Sequence, residues 1–83
     1  MYSVEFSETA LKQLSKIEED IQDRILAVLE RVTIRPFHFI KRKQGTSYFI
    51  LRIGEHRAIL DIKQEENKII IMEIGHRKNI YDN

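Results

Sequence analysis

The residues of this chain best suited to chemistry are cations: Lys41, Arg42, Lys43, Arg52, Arg57, Arg77 and Lys78. A guanidinium stays ionised and offers paired donors that match a phosphate, so an arginine-rich set points to an anionic ligand. Other chemistries lack their residues. The three glycines are isolated, so no Gly-rich loop cradles a phosphate. His38, His56 and His76 show no metal-ligand spacing. Ser3, Ser7, Ser15 and Ser47 have no nucleophile context, and no carboxylate pair stands out. A basic cluster suits RNA or an acidic peptide. Such charges also serve simply to solvate a small surface; their clustering favours a binding surface.

The elements that position these cations are legible from turn chemistry and alternation. Residues 48–62 read as a tight antiparallel hairpin whose turn is Gly54-Glu55. Glycine at the first central position fits a two-residue type II′ turn, which matches strand twist. That turn sets Ile53 opposite His56, Arg52 opposite Arg57, Leu51 opposite Ala58 and Phe49 opposite Leu60. One face carries Phe49, Leu51, Ile53, Ala58, Leu60 and Ile62 and belongs to a core. The other carries Tyr48, Ile50, Arg52, Arg57, Ile59 and Asp61. Directly opposed arginines repel, and a bound anion offsets that cost.

Elsewhere, residues 2–6 form a short first strand. Ser7 caps a helix, with Glu8 favourable in its first turn. Ala10, Leu14, Ile17 and Ile21 recur at helical spacing, with Leu11 flanking. A break at Glu18-Glu19-Asp20 places Asp20 as cap of a second helix, whose apolar face is Ile21, Ile25, Val28, Leu29 and Val32. Arg35-Pro36 ends it, because the residue before proline leaves helical geometry. Residues 37–47 read as a loop, apolar and then basic. Strands follow at about 47–53, 56–63 and 68–75, with a polar turn at 64–67. Ile69, Ile70, Ile71 and Met72 suit a strand buried on both faces. The expected fold is α+β: a small twisted, mainly antiparallel sheet with a two-helix hairpin on one face, as a single domain over residues 1–83.

Composition narrows the setting. Eighty-three residues make one small domain. The absence of Cys removes disulfides and thiolate chemistry and fits a reducing cytoplasm. The amino terminus has no basic-then-apolar leader pattern, and no apolar run approaches a membrane span. A cytoplasmic protein without a membrane partner is expected. Charge is polarised: residues 1–30 hold three Lys or Arg against seven Asp or Glu, and residues 31–83 hold eleven against six.

The run Leu51-Arg52-Ile53-Gly54-Glu55-His56-Arg57-Ala58-Ile59-Leu60, then Glu73-Ile74-Gly75-His76-Arg77 and Ile80-Tyr81, resembles the RelE/ParE toxin superfamily of bacterial and archaeal type II toxin–antitoxin systems. Within it, the RelE branch is the nearer likeness. The resemblance extends to Tyr2-Ser3-Val4-Glu5-Phe6-Ser7 and Ala10-Leu11-Lys12-Gln13-Leu14. It implies a ribosome-dependent mRNA endoribonuclease, an mRNA interferase that inhibits translation by cutting at the ribosomal A site. It also implies no metal or organic cofactor, and a RelB-like antitoxin partner that bridges to operator DNA. Cleavage by 2′-hydroxyl attack needs the ribose and phosphate held in line, developing charge stabilised and protons moved.

By that likeness Arg57 binds phosphate; the plainer reading is a surface arginine on an exposed strand. Arg77 stabilises transition-state charge. Tyr81 stacks on the target base or moves a proton, or else anchors the tail. His76 and Lys43 are candidates for proton transfer. Lys41, Arg42, Lys43, Arg52 and Lys78 are candidate RNA contacts. The chain departs from well-studied RelE enzymes at Tyr48 and Ile50, where those carry basic residues. Ile50 and Ile59 add apolar surface beside the arginines, to receive an antitoxin side chain or lie under the C-terminal tail. The alternatives are a ParE-like inhibitor of DNA gyrase, which binds rather than cuts, or a catalytically weakened toxin that keeps its antitoxin.

Overall fold

The computed structural model describes residues 1–80. The chain runs β1 (Ser3–Phe6), α1 (Glu8–Ser15), α2 (Glu19–Ile34), α3 (Pro36–Phe39), β2 (Ile40–Arg42), β3 (Phe49–Ile53), β4 (His56–Lys63), a short 3-10 turn (Gln64–Glu66) and β5 (Lys68–His76). The five strands form one sheet in the order β1-β5-β4-β3-β2. All pairs are antiparallel except β1 with β5, which is parallel, so the sheet is mixed. The parallel pair follows from topology: α1 and α2 carry the chain across one face before the remaining strands are laid down.

Local chemistry explains the helix boundaries. The Ser7 hydroxyl accepts from the Ala10 amide at 3.0 Å and donates to the Met72 carbonyl at 2.7 Å. One residue thus caps α1 and ties it to β5. The second cap departs from expectation: Glu18, not Asp20, holds the N-cap position and makes no side-chain capping bond. Gln22 closes that corner instead, its Nε2 donating to the Leu14 and Ile17 carbonyls at 2.8 Å each. Pro36 ends α2 at Ile34 and starts α3 at a first-turn position, where its missing N–H costs nothing. The expected loop at 37–47 is therefore partly ordered, as α3 and the edge strand β2.

Burial is concentrated between helices and sheet. Ala10, Ile25, Leu29 and Val32 from the helices meet Leu51, Ile53, Ala58, Leu60, Ile69, Ile71 and Ile74 from the strands. The hairpin register matches the one derived from its turn, pair for pair. Gly54 has φ +59° while Glu55 stays at negative φ, as a type II′ turn requires.

One irregularity decides what the sheet displays. Ile59 pairs with Glu73 but Leu60 pairs with Ile71, so Met72 is an extra residue in β5. Alternation reverses there, as it does at any bulge. Ile69 and Ile71 face the helices before it, and Ile74 does so after it. Glu73 and Gly75 are turned to the opposite, outer face. Met72 and Ile70 are only half-buried, so β5 is not enclosed on both sides as its apolar run suggested.

Candidate phosphate-binding face

The outer face is built in rows by strand register, since directly paired residues share a side. One row is Arg52, Arg57 and Gly75; the next is Lys41, Ile50, Ile59 and Glu73. The Lys43 amide donates to the Tyr48 carbonyl at 2.9 Å, which extends the β2–β3 ladder by one step. Lys41, Lys43, Arg52 and Arg57 thus belong to one side of the sheet. Arg42 does not: it pairs with Phe49, whose side packs on the core, and its guanidinium lies 5.0 Å from that ring's centroid.

Arg57 is not the exposed strand arginine of the plainer reading. It is buried, at 9% exposure. Its Nη1 donates to the Gly54 and His56 carbonyls, both at 2.9 Å. The guanidinium folds back onto its own turn and holds a desolvated positive charge beneath the face. Ile50, Ile59 and Ile80 are also buried yet stand outside the helix-side core. They are a small second layer, not exposed apolar surface. Ile80 reaches it through Gly75: a Cβ there would stand 3.1 Å from Ile80 Cδ1. The missing side chain makes room for the C-terminal segment.

Arg77 leaves the end of β5 and is held at the hairpin tip. Its amide donates to the Glu55 carbonyl at 2.8 Å, and its Nε meets the Glu55 carboxylate at 2.6 Å. The side chain is 57% exposed and accessible to a polyanion. Lys78 is exposed on the same turn. Tyr81 lies outside the described residues.

The bulge separates His76 from this group. His76 pairs with His56, and His56 with the core residue Ile53, so both histidines face the helix side. Their rings stand 5.7 Å apart, edge to face, and His76 Nδ1 accepts from the Lys78 amide at 3.1 Å. Lys43 is also remote: four residues, about 13 Å along the strand, separate the Tyr48 and Arg52 rows. Strict alternation past Ile71 hid Glu73, which the bulge sets diagonally from Arg57 on the outer face, a spacing of roughly 7–8 Å. That diagonal follows from the register. The structure therefore brings Arg52, Arg57 and Glu73 into one neighbourhood, with Lys41 beside them and Arg77 at its end. It leaves Arg42 and His76 on the other side.

Among the described residues no three His, Cys, Asp or Glu side chains gather as metal ligands. A cavity of about 500 Å³ between β1 and α2 is lined by Val4, Phe6, Leu26 and Leu29 with Asp23 and Glu30. It carries no cation and lies on the helix side.

A family model described as the ParE toxin of type II toxin–antitoxin systems, parDE, matches residues 4–81. The chain is similar in structure to the RelBE2 toxin–antitoxin complex of Mycobacterium tuberculosis, with TM-score 0.83 and 25% identity over 92% of this chain and 98% of that one. The RelB–RelE complex of Methanococcus jannaschii gives TM-score 0.72 at 26% identity, covering 93% and 94%. The archaeal RelE–RelB complex of Pyrococcus horikoshii gives 0.80 at 20% identity, covering 95% and 98%, a likeness of fold. No curated protein matches the chain in sequence.

Proposed function

The chain belongs to the ParE toxin family of type II toxin–antitoxin systems, within the RelE/ParE superfamily, and from its outer face we propose that it is a RelE-like endoribonuclease that cleaves mRNA on the ribosome. The observation that carries this reading is the outer face itself. Register gathers Lys41, Arg52, Arg57 and the bulge-turned Glu73, and Arg77 closes the end of the group. When a phosphodiester is attacked by its own 2′-hydroxyl, a 2′,3′-cyclic phosphate forms as the bond to the 5′-oxygen breaks, and that oxygen takes a proton from water. The step asks for this arrangement: cations for the charge that develops and a base for the 2′-proton.

The roles divide by exposure. Arg77 reaches the phosphate and stabilises the transition state. Arg57, desolvated beneath the face, contributes a fixed positive field that is stronger for its low-dielectric surroundings. Glu73 takes the 2′-hydroxyl proton, in place of the basic residues that Tyr48 and Ile50 replace. Arg52, Lys41, Lys43 and Lys78 grip the RNA backbone, and Tyr81 stacks on the target base. A RelB-like antitoxin neutralises the toxin by occupying this face. The solved relatives from M. tuberculosis and M. jannaschii are themselves toxin–antitoxin complexes, which supports such a partner.

The family description favours one second reading, gyrase inhibition by a ParE-like toxin. Pulse labelling after induced expression separates the two. The nuclease reading expects amino-acid incorporation to stop first while DNA synthesis continues. Early arrest of DNA synthesis with translation intact would favour gyrase.

A further inference from the structure

Residues 31–54 hold six cations, Arg31, Arg35, Lys41, Arg42, Lys43 and Arg52, and no acidic residue. The same stretch holds three large apolar side chains left open to solvent: Ile34 at 64%, Phe37 at 48% and Phe39 at 41% exposure. They are half of the six such residues among those described. Ile34 ends α2, and Phe37 and Phe39 lie in α3, next to the edge strand β2.

The rings already meet one another edge to face. Phe37 meets Phe49 edge to face, with centroids 5.6 Å apart, and Arg42 lies over the Phe49 ring. His38 meets Phe39 at 4.9 Å. Arg42, on the helix-facing side of β2, cannot serve the outer-face group; it is held at this edge by the Phe49 ring and by the Thr46 carbonyl, to which its Nη1 donates at 3.4 Å. Exposed aromatic rings interleaved with cations, in a stretch without carboxylates, are how proteins hold unpaired bases and the phosphates between them.

We propose that the α3–β2 edge is a binding platform for single-stranded RNA, separate from the cleaving face. Unpaired bases stack on Phe37 and Phe39, and Arg35 and Arg42 hold the intervening phosphates. The proposal rests on the reading above only in taking RNA as the polymer. It is tested by binding, so its failure is distinguishable from a failure of cleavage.

The experiment uses the Arg77→Ala chain, in which the proposed chemistry is absent, and the fluorescence anisotropy of a labelled 12-nucleotide single strand of alternating C and A. The expected result is at least ten-fold weaker binding to the same sequence in a duplex. Phe39→Leu, which keeps apolar volume but removes the stacking ring, should weaken single-strand binding about ten-fold. Phe39→Trp should preserve it. Phe37→Leu should act likewise, and since Phe37 also supports Phe49, circular dichroism accompanies it; Phe39→Leu decides the matter alone if Phe37→Leu unfolds. Unchanged binding by Phe39→Leu would overturn the proposal. So would equal affinity for the duplex, or tighter binding to poly-glutamate or to phosphatidylserine vesicles, which would assign the edge to a protein or a membrane.

Discussion

Arg57 and Arg77 were equivalent as letters in the sequence, and the structure separates them. Arg57→Ala removes two charge-assisted bonds to hairpin carbonyls. It should cost roughly 1.5–3 kcal/mol by urea denaturation, so loss of activity in that variant mixes stability with chemistry. Arg77 is exposed and its ion pair with Glu55 is a surface one. Arg77→Ala should change stability by less than about 1 kcal/mol, so a loss of toxicity reports on function. Glu73→Gln should slow ribosomal cleavage by on the order of 100-fold or more; wild-type cleavage by this variant would remove Glu73 from the chemistry. The opposition of Arg52 and Arg57 was readable from the Gly54 turn. The role of Glu73 was not, because nothing in a run of apolar residues marks Met72 as the one left unpaired. Bulges are settled by how neighbouring strands meet, which a single strand's letters do not record.

At the scale of elements, the turn and cap residues carried the most information. Gly54 at φ +59° and Ser7 at the start of α1 each do what their residue types specify. Ser7→Ala should lower stability by about 1–2 kcal/mol, since it removes both the cap and the bond to Met72. The α3–β2 segment was less legible. Four helical residues and three strand residues are too few for periodicity to register, and β2 exists because β3 offers it an edge. The cap of α2 was misplaced because Asp20 is the better capping residue type, whereas Gln22, bonded to the Leu14 and Ile17 carbonyls, decides the corner from the other side. Gly75 shows how one element holds another. Gly75→Val would drive its side chain into Ile80 Cδ1 and displace the C-terminal segment from the outer face. A loss of about 1–3 kcal/mol is expected, read by thermal melting; an unchanged melting temperature would show that Ile80 contributes little there.

For the whole molecule, the acidic first third and basic remainder seen in the sequence become the helices and the sheet with its edge. Fold class followed from this order of elements, but the parallel β1–β5 pairing did not, since it joins the two ends of the described chain. Glu5 and, less strongly, Glu66 hold the Lys68 ammonium above its ordinary pKa, and the Glu5 ion pair fastens β1 to β5. Because this pKa is raised on folding, the contribution is present at neutral pH and is lost as pH rises through it. The central claim concerns the opposite end of the sheet, and primer extension on a defined mRNA, with and without programmed ribosomes, tests it most directly in wild type and Arg77→Ala. The account predicts cuts at the A-site codon that require ribosomes and vanish in the variant. Intact mRNA with wild-type protein, or identical cuts with Arg77→Ala, would contradict it.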